Sequence, residues 1–147
     1  MLALRSLART AATTLAALAL AGAALAQELP FRGKFTGTGF PIAAMTGNAN
    51  HLGRFQGTGQ ITPTGPTTFV GTFEWSAANG DVVYGILDGT FVRELSPGVF
   101  EYHEIATILG GTGRFAGASG TQIATGNTDL VNAVFDGRFD GTIVLPR

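Results

Sequence analysis

From Gln27 onward apolar and polar residues alternate with a period of two, and helical periodicity is absent. In the last segment Val131, Ala133, Phe135, Gly137, Phe139, Gly141, Ile143 and Leu145 share one parity. Asn132, Asp136, Arg138, Asp140 and Thr142 hold the other. Successive side chains of a strand point to opposite faces, so this pattern predicts one core face and one wet face. Residues 68–76 behave likewise, with Phe69, Gly71, Phe73 and Trp75 opposed to Thr68, Thr72, Glu74 and Ser76. They run into Ala78-Asn79-Gly80-Asp81, where Asn-Gly suits the positive φ angles of a type I′ turn and predicts a hairpin to a strand over 82–93. Pro41, Pro63-Thr64-Gly65-Pro66 and Ser96-Pro97-Gly98 break the chain at intervals suited to short strands. The count is about eight. An even set of sequential antiparallel strands removes its edges by closing, so the expected fold is all-β, a small closed antiparallel β-barrel with room for side chains or one small ligand.

A short repeat points to strong curvature. Gly33-Lys34-Phe35-Thr36-Gly37-Thr38-Gly39 matches Gly53-Arg54-Phe55-Gln56-Gly57-Thr58-Gly59. Gly113-Arg114-Phe115-Ala116-Gly117 and Gly137-Arg138-Phe139-Asp140-Gly141 repeat its first half. On a strand the two glycines and the phenylalanine share a face, and the basic residue points the other way. Glycines let a sheet bend tightly, and an aromatic lying across them replaces the missing side-chain contacts.

The N-terminus changes the expected compartment. Arg5 and Arg9 precede an Ala/Leu run from Ala11 to Ala23, followed by Ala24-Leu25-Ala26 and the polar Gln27-Glu28. These are the charged, apolar and small-x-small parts of a secretory signal, which predicts a signal peptide over 1–26 and one domain over 27–147, secreted or periplasmic. The apolar run is short of the roughly 20 residues that span a bilayer, so no stable membrane anchor is expected. The 147 residues contain no cysteine, which excludes disulfides and thiolate zinc sites. The formal charge is −1, and losing Arg5 and Arg9 takes it to about −3. That overall balance argues against a nucleic-acid or anionic-membrane partner.

At Ile108-Leu109-Gly110-Gly111-Thr112-Gly113-Arg114-Phe115-Ala116-Gly117-Ala118-Ser119-Gly120 the chain resembles the bacterial relatives of allene oxide cyclase and dirigent proteins. The likeness extends to residues 51–55, 77–81 and 135–143, in order, and so covers most of the chain after the signal. It implies an eight-stranded, calycin-like barrel with a central cavity. It transfers chemistry poorly: the plant cyclase pocket includes a cysteine, and neither family's functional residues fall on matching positions here.

The residues that carry chemistry are few. Gly111-Thr112-Gly113-Arg114-Phe115-Ala116 formally matches a dinucleotide fingerprint, but no helix pattern follows it, so a tight turn is the expected role and no cofactor is implied. Residues 99–108 hold the greatest variety. If Phe100, Ala106 and Ile108 face the core, alternation turns Tyr102 and Glu104 inward too, about 7 Å apart. A lumen carboxylate without a partner has its pKa raised by desolvation toward the range useful for proton transfer, which makes Glu104 the leading candidate, with Tyr102 beside it as catalytic or ligand-binding. The alternative is a structural pairing of Glu104 with an arginine or a backbone amide. Trp75 and Tyr84 are the other candidate ligand contacts, as cavity wall. Glu101, His103 and His51 form the one imaginable metal set, too weak to expect a metal.

Three functional readings follow. The first is an exported barrel that binds a small apolar ligand or serves a structural role in the envelope. The second is an isomerase or cyclase of the allene oxide cyclase type, working through Glu104. The third is a protein-interaction module on an outer strand face, supported by Val82, Ile86 and Val92, and it leaves oligomerisation open.

Overall fold

The computed structural model describes residues 25–147; residues 1–24 of the expected signal peptide, 1–26, lie outside the described residues. Eight strands follow in order: β1 (Gln27–Thr38), β2 (Ile42–Ala49), β3 (Gly53–Pro63), β4 (Thr68–Ala77), β5 (Val82–Ser96), β6 (Val99–Gly111), β7 (Ser119–Asp129) and β8 (Val134–Leu145). Each pairs antiparallel with the next, and β8 returns to β1, so the sheet closes into an eight-stranded barrel with no free edge. Closure is extensive, since β1 and β8 register along their whole lengths, from Gln27 opposite Leu145 to Thr38 opposite Val134.

Several strand glycines, in the repeat and outside it, are placed opposite aromatics of neighbouring strands. Gly33 registers with Phe139, Gly37 with Phe135 and Gly137 with Phe35, all across the β1–β8 seam. Gly47 faces Phe55, Gly57 faces Trp75, Gly85 faces Phe73 and Gly89 faces Phe69. In each case the ring lies on the glycine: a Cβ added at Gly33 would sit 2.6 Å from the Phe139 ring, and one at Gly57 2.5 Å from that of Trp75. The missing side chains thus make the trough in which the rings pack, and the paired aromatic offsets the packing lost at each glycine.

The two ends of the barrel differ. At the end carrying the β2–β3, β4–β5 and β6–β7 turns the lumen is filled. Phe31, Val83, Phe115 and Ile143 are fully buried there, and Leu52, Ile108 and Ala118 nearly so. Trp75 sits at the centre of an aromatic cluster, with ring centroids 4.8 Å from Phe73, 4.9 Å from Phe55 and 5.1 Å from Phe139. The other end, carrying the β1–β2 and β7–β8 loops, holds a cavity.

Several local expectations change. The Ala78–Asp81 connection is not a type I′ turn, because only Gly80 has positive φ, at 89°. Gly80 N–H donates to the Ala77 carbonyl and Ala77 N–H to the Asp81 carbonyl, which is a wider loop ending in a left-handed glycine. Asn79 accepts from the Asp81 N–H instead of occupying the left-handed region. The final strand starts at Val134, not Val131. Val131 is 76% exposed in a turn held by Asp129, whose carboxylate accepts from the backbone N–H of Val131 and Asn132. The third copy of the repeat is not strand: Gly113–Phe115 is a single 3₁₀ turn that drives Phe115 into the filled end as a plug. The fingerprint-like segment is therefore a tight turn.

Candidate functional site

Strand β6 supplies the central residues. Its alternation puts Tyr102, Glu104, Ala106 and Ile108 on the inner face, with Glu101, His103, Ile105 and Leu109 outside. Glu104 registers with Gly89 of β5 on one side and Ala124 of β7 on the other. Neither neighbour offers a side chain that could bond the carboxyl group, and the Phe69 ring lies across Gly89. No ion pair or hydrogen bond engages it among the described residues, and burial alone pushes its pKa up to about 7. The part of Glu104 that remains accessible lines the cavity. The alternative structural pairing with an arginine or a backbone amide is absent among the described residues.

Tyr102 faces inward beside it, and its hydroxyl donates to the Asp136 carbonyl at 2.8 Å. The ring reaches that carbonyl because it crosses two opposed glycines, Gly126 and Gly137. Burial, then the charges of Glu104 and Asp136, push the phenol pKa up, so Tyr102 stays neutral. Trp75 also lines the cavity, but its indole N–H donates to the Met45 sulfur at 3.2 Å. Tyr84 is corrected: it stands on the outer face of β5, 43% exposed, because Val83 and Gly85 take the inward positions. It is not cavity wall.

The cavity measures about 90 Å³ for the centres of water-sized spheres, enough for several waters or one compact molecule. Phe35, Met45, Phe69, Phe73, Leu87 and Phe135 supply most of its apolar wall. Phe40 and Leu130, 49% and 41% exposed, stand at its mouth on the β1–β2 and β7–β8 loops. A larger concavity lies on the outside of the barrel, over strands β1 to β4 and β6 to β8, away from Glu104.

Gln122 is a further polar group in the lumen. It is 2% exposed, lines the cavity, and its Oε1 has no hydrogen-bond partner. Its register partner is Ala106, so it lies diagonal to Glu104 across the β6–β7 pair, within reach of one ligand. The sequence hides Gln122, because the one bulky apolar residue of β7, Ile123, points outward and is 58% exposed. Asp129 also touches the cavity, but hydrogen bonds from Asn132 and Val131 occupy it and lower its pKa. With the tips of Trp75 and Tyr102 donating to protein atoms, the Glu104 carboxyl and Gln122 Oε1 are acceptors left for a ligand, and Thr128 adds a hydroxyl on the same face of β7.

The histidines stand elsewhere. His51 sits in the β2–β3 turn with φ 64°, and His103 lies on the outer face, 3.6 Å from Glu101. The described residues contain no group of three or more potential metal ligands.

No protein-family model and no curated protein matches the chain. Among solved structures it is similar to the pterocarpan synthase dirigent protein GePTS1, with a TM-score of 0.55 and 14% identity. The match covers 83% of this chain and 87% of that one. At that identity the likeness concerns architecture, and it agrees with the strand order: the chain has a dirigent-like, eight-stranded β-barrel fold.

Proposed function

We propose that the protein binds one small, mainly apolar molecule in the open end of its barrel, anchored by a hydrogen-bond donor on that molecule to Glu104 and Gln122. The observation that carries this reading is the pair of unpartnered acceptors in an apolar cavity. A buried polar atom without a partner costs about 1–3 kcal/mol, and a ligand hydroxyl or amine would recover it. The apolar wall then supplies affinity through area removed from water, at about 25 cal/mol per Å².

A neutral probe with an apolar body and one N–H, N-phenyl-1-naphthylamine, tests the reading by fluorescence titration of the purified protein. Saturable one-site binding is expected. Ala124→Leu, which fills the cavity floor, should abolish it while circular dichroism still reports the barrel. Glu104→Gln should weaken it no more than tenfold, since an amide oxygen still accepts. Non-saturable binding, or binding indifferent to Ala124→Leu, contradicts the proposal.

A second reading has its own support. A carboxyl group with a pKa of about 7 is poised to give or take a proton near neutral pH, and the structural neighbour GePTS1 is named as a synthase. An isomerase or cyclase would use Glu104 as the acid or base and Tyr102 as its neutral neighbour. Under that reading Glu104→Gln keeps ligand binding and loses turnover by 100-fold or more, in line with the ordinary contribution of general acid–base catalysis.

A further inference from the structure

Of the four basic positions of the G-[KR]-F-x-G repeat, Arg114 lies over the Phe115 ring and pairs with Asp81, and the fold gathers the other three. Arg138 of β8 registers with Lys34 of β1, Lys34 with Asn48 of β2, and Asn48 with Arg54 of β3. The result is one row across four adjacent strands, spanning about 14 Å at the usual strand spacing. Like charges directly opposite on a sheet destabilise it, and Lys34 and Arg138 are such a pair. None of the three makes an ion pair among the described residues, whereas Arg32, Arg93 and Arg114 pair with Asp140, Glu101 and Asp81. A local rule broken with no packing gain is the mark of a functional surface.

The surroundings define the partner. The row lies in an outer groove of about 1210 Å³ lined also by Thr36, Thr46, Gln56, Thr125 and Asn127, all of which offer hydroxyl or amide hydrogen bonds. The acids among its lining residues are Asp136, two residues from Arg138 on the same face of β8, and Glu101, the latter held by Arg93. No outer-face aromatic lines the groove, so it lacks the stacking platform that single-stranded nucleic acids use. Cations spaced among hydroxyl and amide groups match a chain that carries carboxylates among hydroxyls, and the arginine forks suit carboxylate geometry. We infer that this row binds an acidic polysaccharide, on the outside of the barrel and independently of the lumen. The net charge of −1 conceals it, because eight of the ten acids lie outside the groove.

The test is calorimetric titration of the purified protein with a polygalacturonate oligomer, with dextran, polyphosphate and a thymidine 20-mer as comparison ligands. Polygalacturonate should bind with an affinity that falls as sodium chloride rises, and dextran should not bind. Lys34→Gln combined with Arg138→Gln should weaken polygalacturonate at least tenfold. Arg32→Gln combined with Arg93→Gln removes the same net charge from paired positions and should change it less than twofold. The thermal midpoint of the Lys34/Arg138 variant should be unchanged or higher, because a repulsion is relieved, so lost binding cannot be lost folding. Equal loss in both double variants, no preference over dextran, or tighter binding of polyphosphate or the oligonucleotide overturns the inference.

Discussion

A carboxyl group facing a barrel lumen without a partner prefers its neutral form, and at Glu104 that preference has a measurable sign. Above about pH 4.5 the unfolded chain has lost this proton, while the folded chain keeps it until about pH 7. The folded state binds more protons across that window, so stability falls as pH rises through it and levels off above. Partial solvation by the cavity reduces the full shift to roughly 2 kcal/mol. Urea unfolding of the wild-type chain at pH 5 and pH 8 should show a loss of that order, and Glu104→Gln should remove most of the difference. An identical pH dependence in the variant would mean that Glu104 is paired or well hydrated. The inward placement of Tyr102 and Glu104 was legible from the alternation of residues 99–108, because Ala106 and Ile108 fix the core side of β6. Tyr84 was not: β5 carries apolar residues on both faces, so composition could not say that Val83 and Gly85, and not Tyr84, point inward. Gln122 escaped for the converse reason, a polar residue on the inner face of a strand whose isoleucine faces out.

At the level of elements, the barrel depends on glycines where two backbones or a backbone and a ring must approach. Gly126 is the clearest case, since a Cβ there would run into the backbone carbonyl of Asp136 and lie 2.7 Å from the Gly137 Cα. Gly126→Ala must therefore separate β7 from β8, and overpacking of this kind costs about 1–3 kcal/mol. The 3₁₀ turn after β6 makes a different contribution, delivering Phe115 as a fully buried plug. Phe115→Ala should cost about 3–5 kcal/mol in chemical denaturation, whereas a loss under 1 kcal/mol would show that the filled end collapses around the gap. The strands and most of their punctuation could be read from the period-two pattern and the prolines. The turns could not be read as well, because the Ala77–Asp81 loop and the Gly113–Phe115 turn are tied to each other across about 30 residues of sequence. Thr112 and Asp81 link those two turns, through Thr112 Oγ1 accepting from Val82 N–H and Asp81 pairing with Arg114.

For the whole molecule, closure of eight strands leaves a question that strand counting does not reach, whether the lumen is solid or hollow. It is both. Aromatics lying on glycines fill one end, and the same glycine-rich pattern leaves the other end open around Glu104 and Gln122, with Phe40 and Leu130 at its mouth. The outer wall carries a separate pattern, in which the basic residues of the repeat stand in one row. Native mass spectrometry of the protein, gently purified from the cells that make it, tests the lumen most directly. The account predicts a retained small molecule at one per chain, released on unfolding and absent from the Ala124→Leu variant. Repeated recovery of the empty wild-type chain, or a retained molecule that persists in Ala124→Leu, would contradict it.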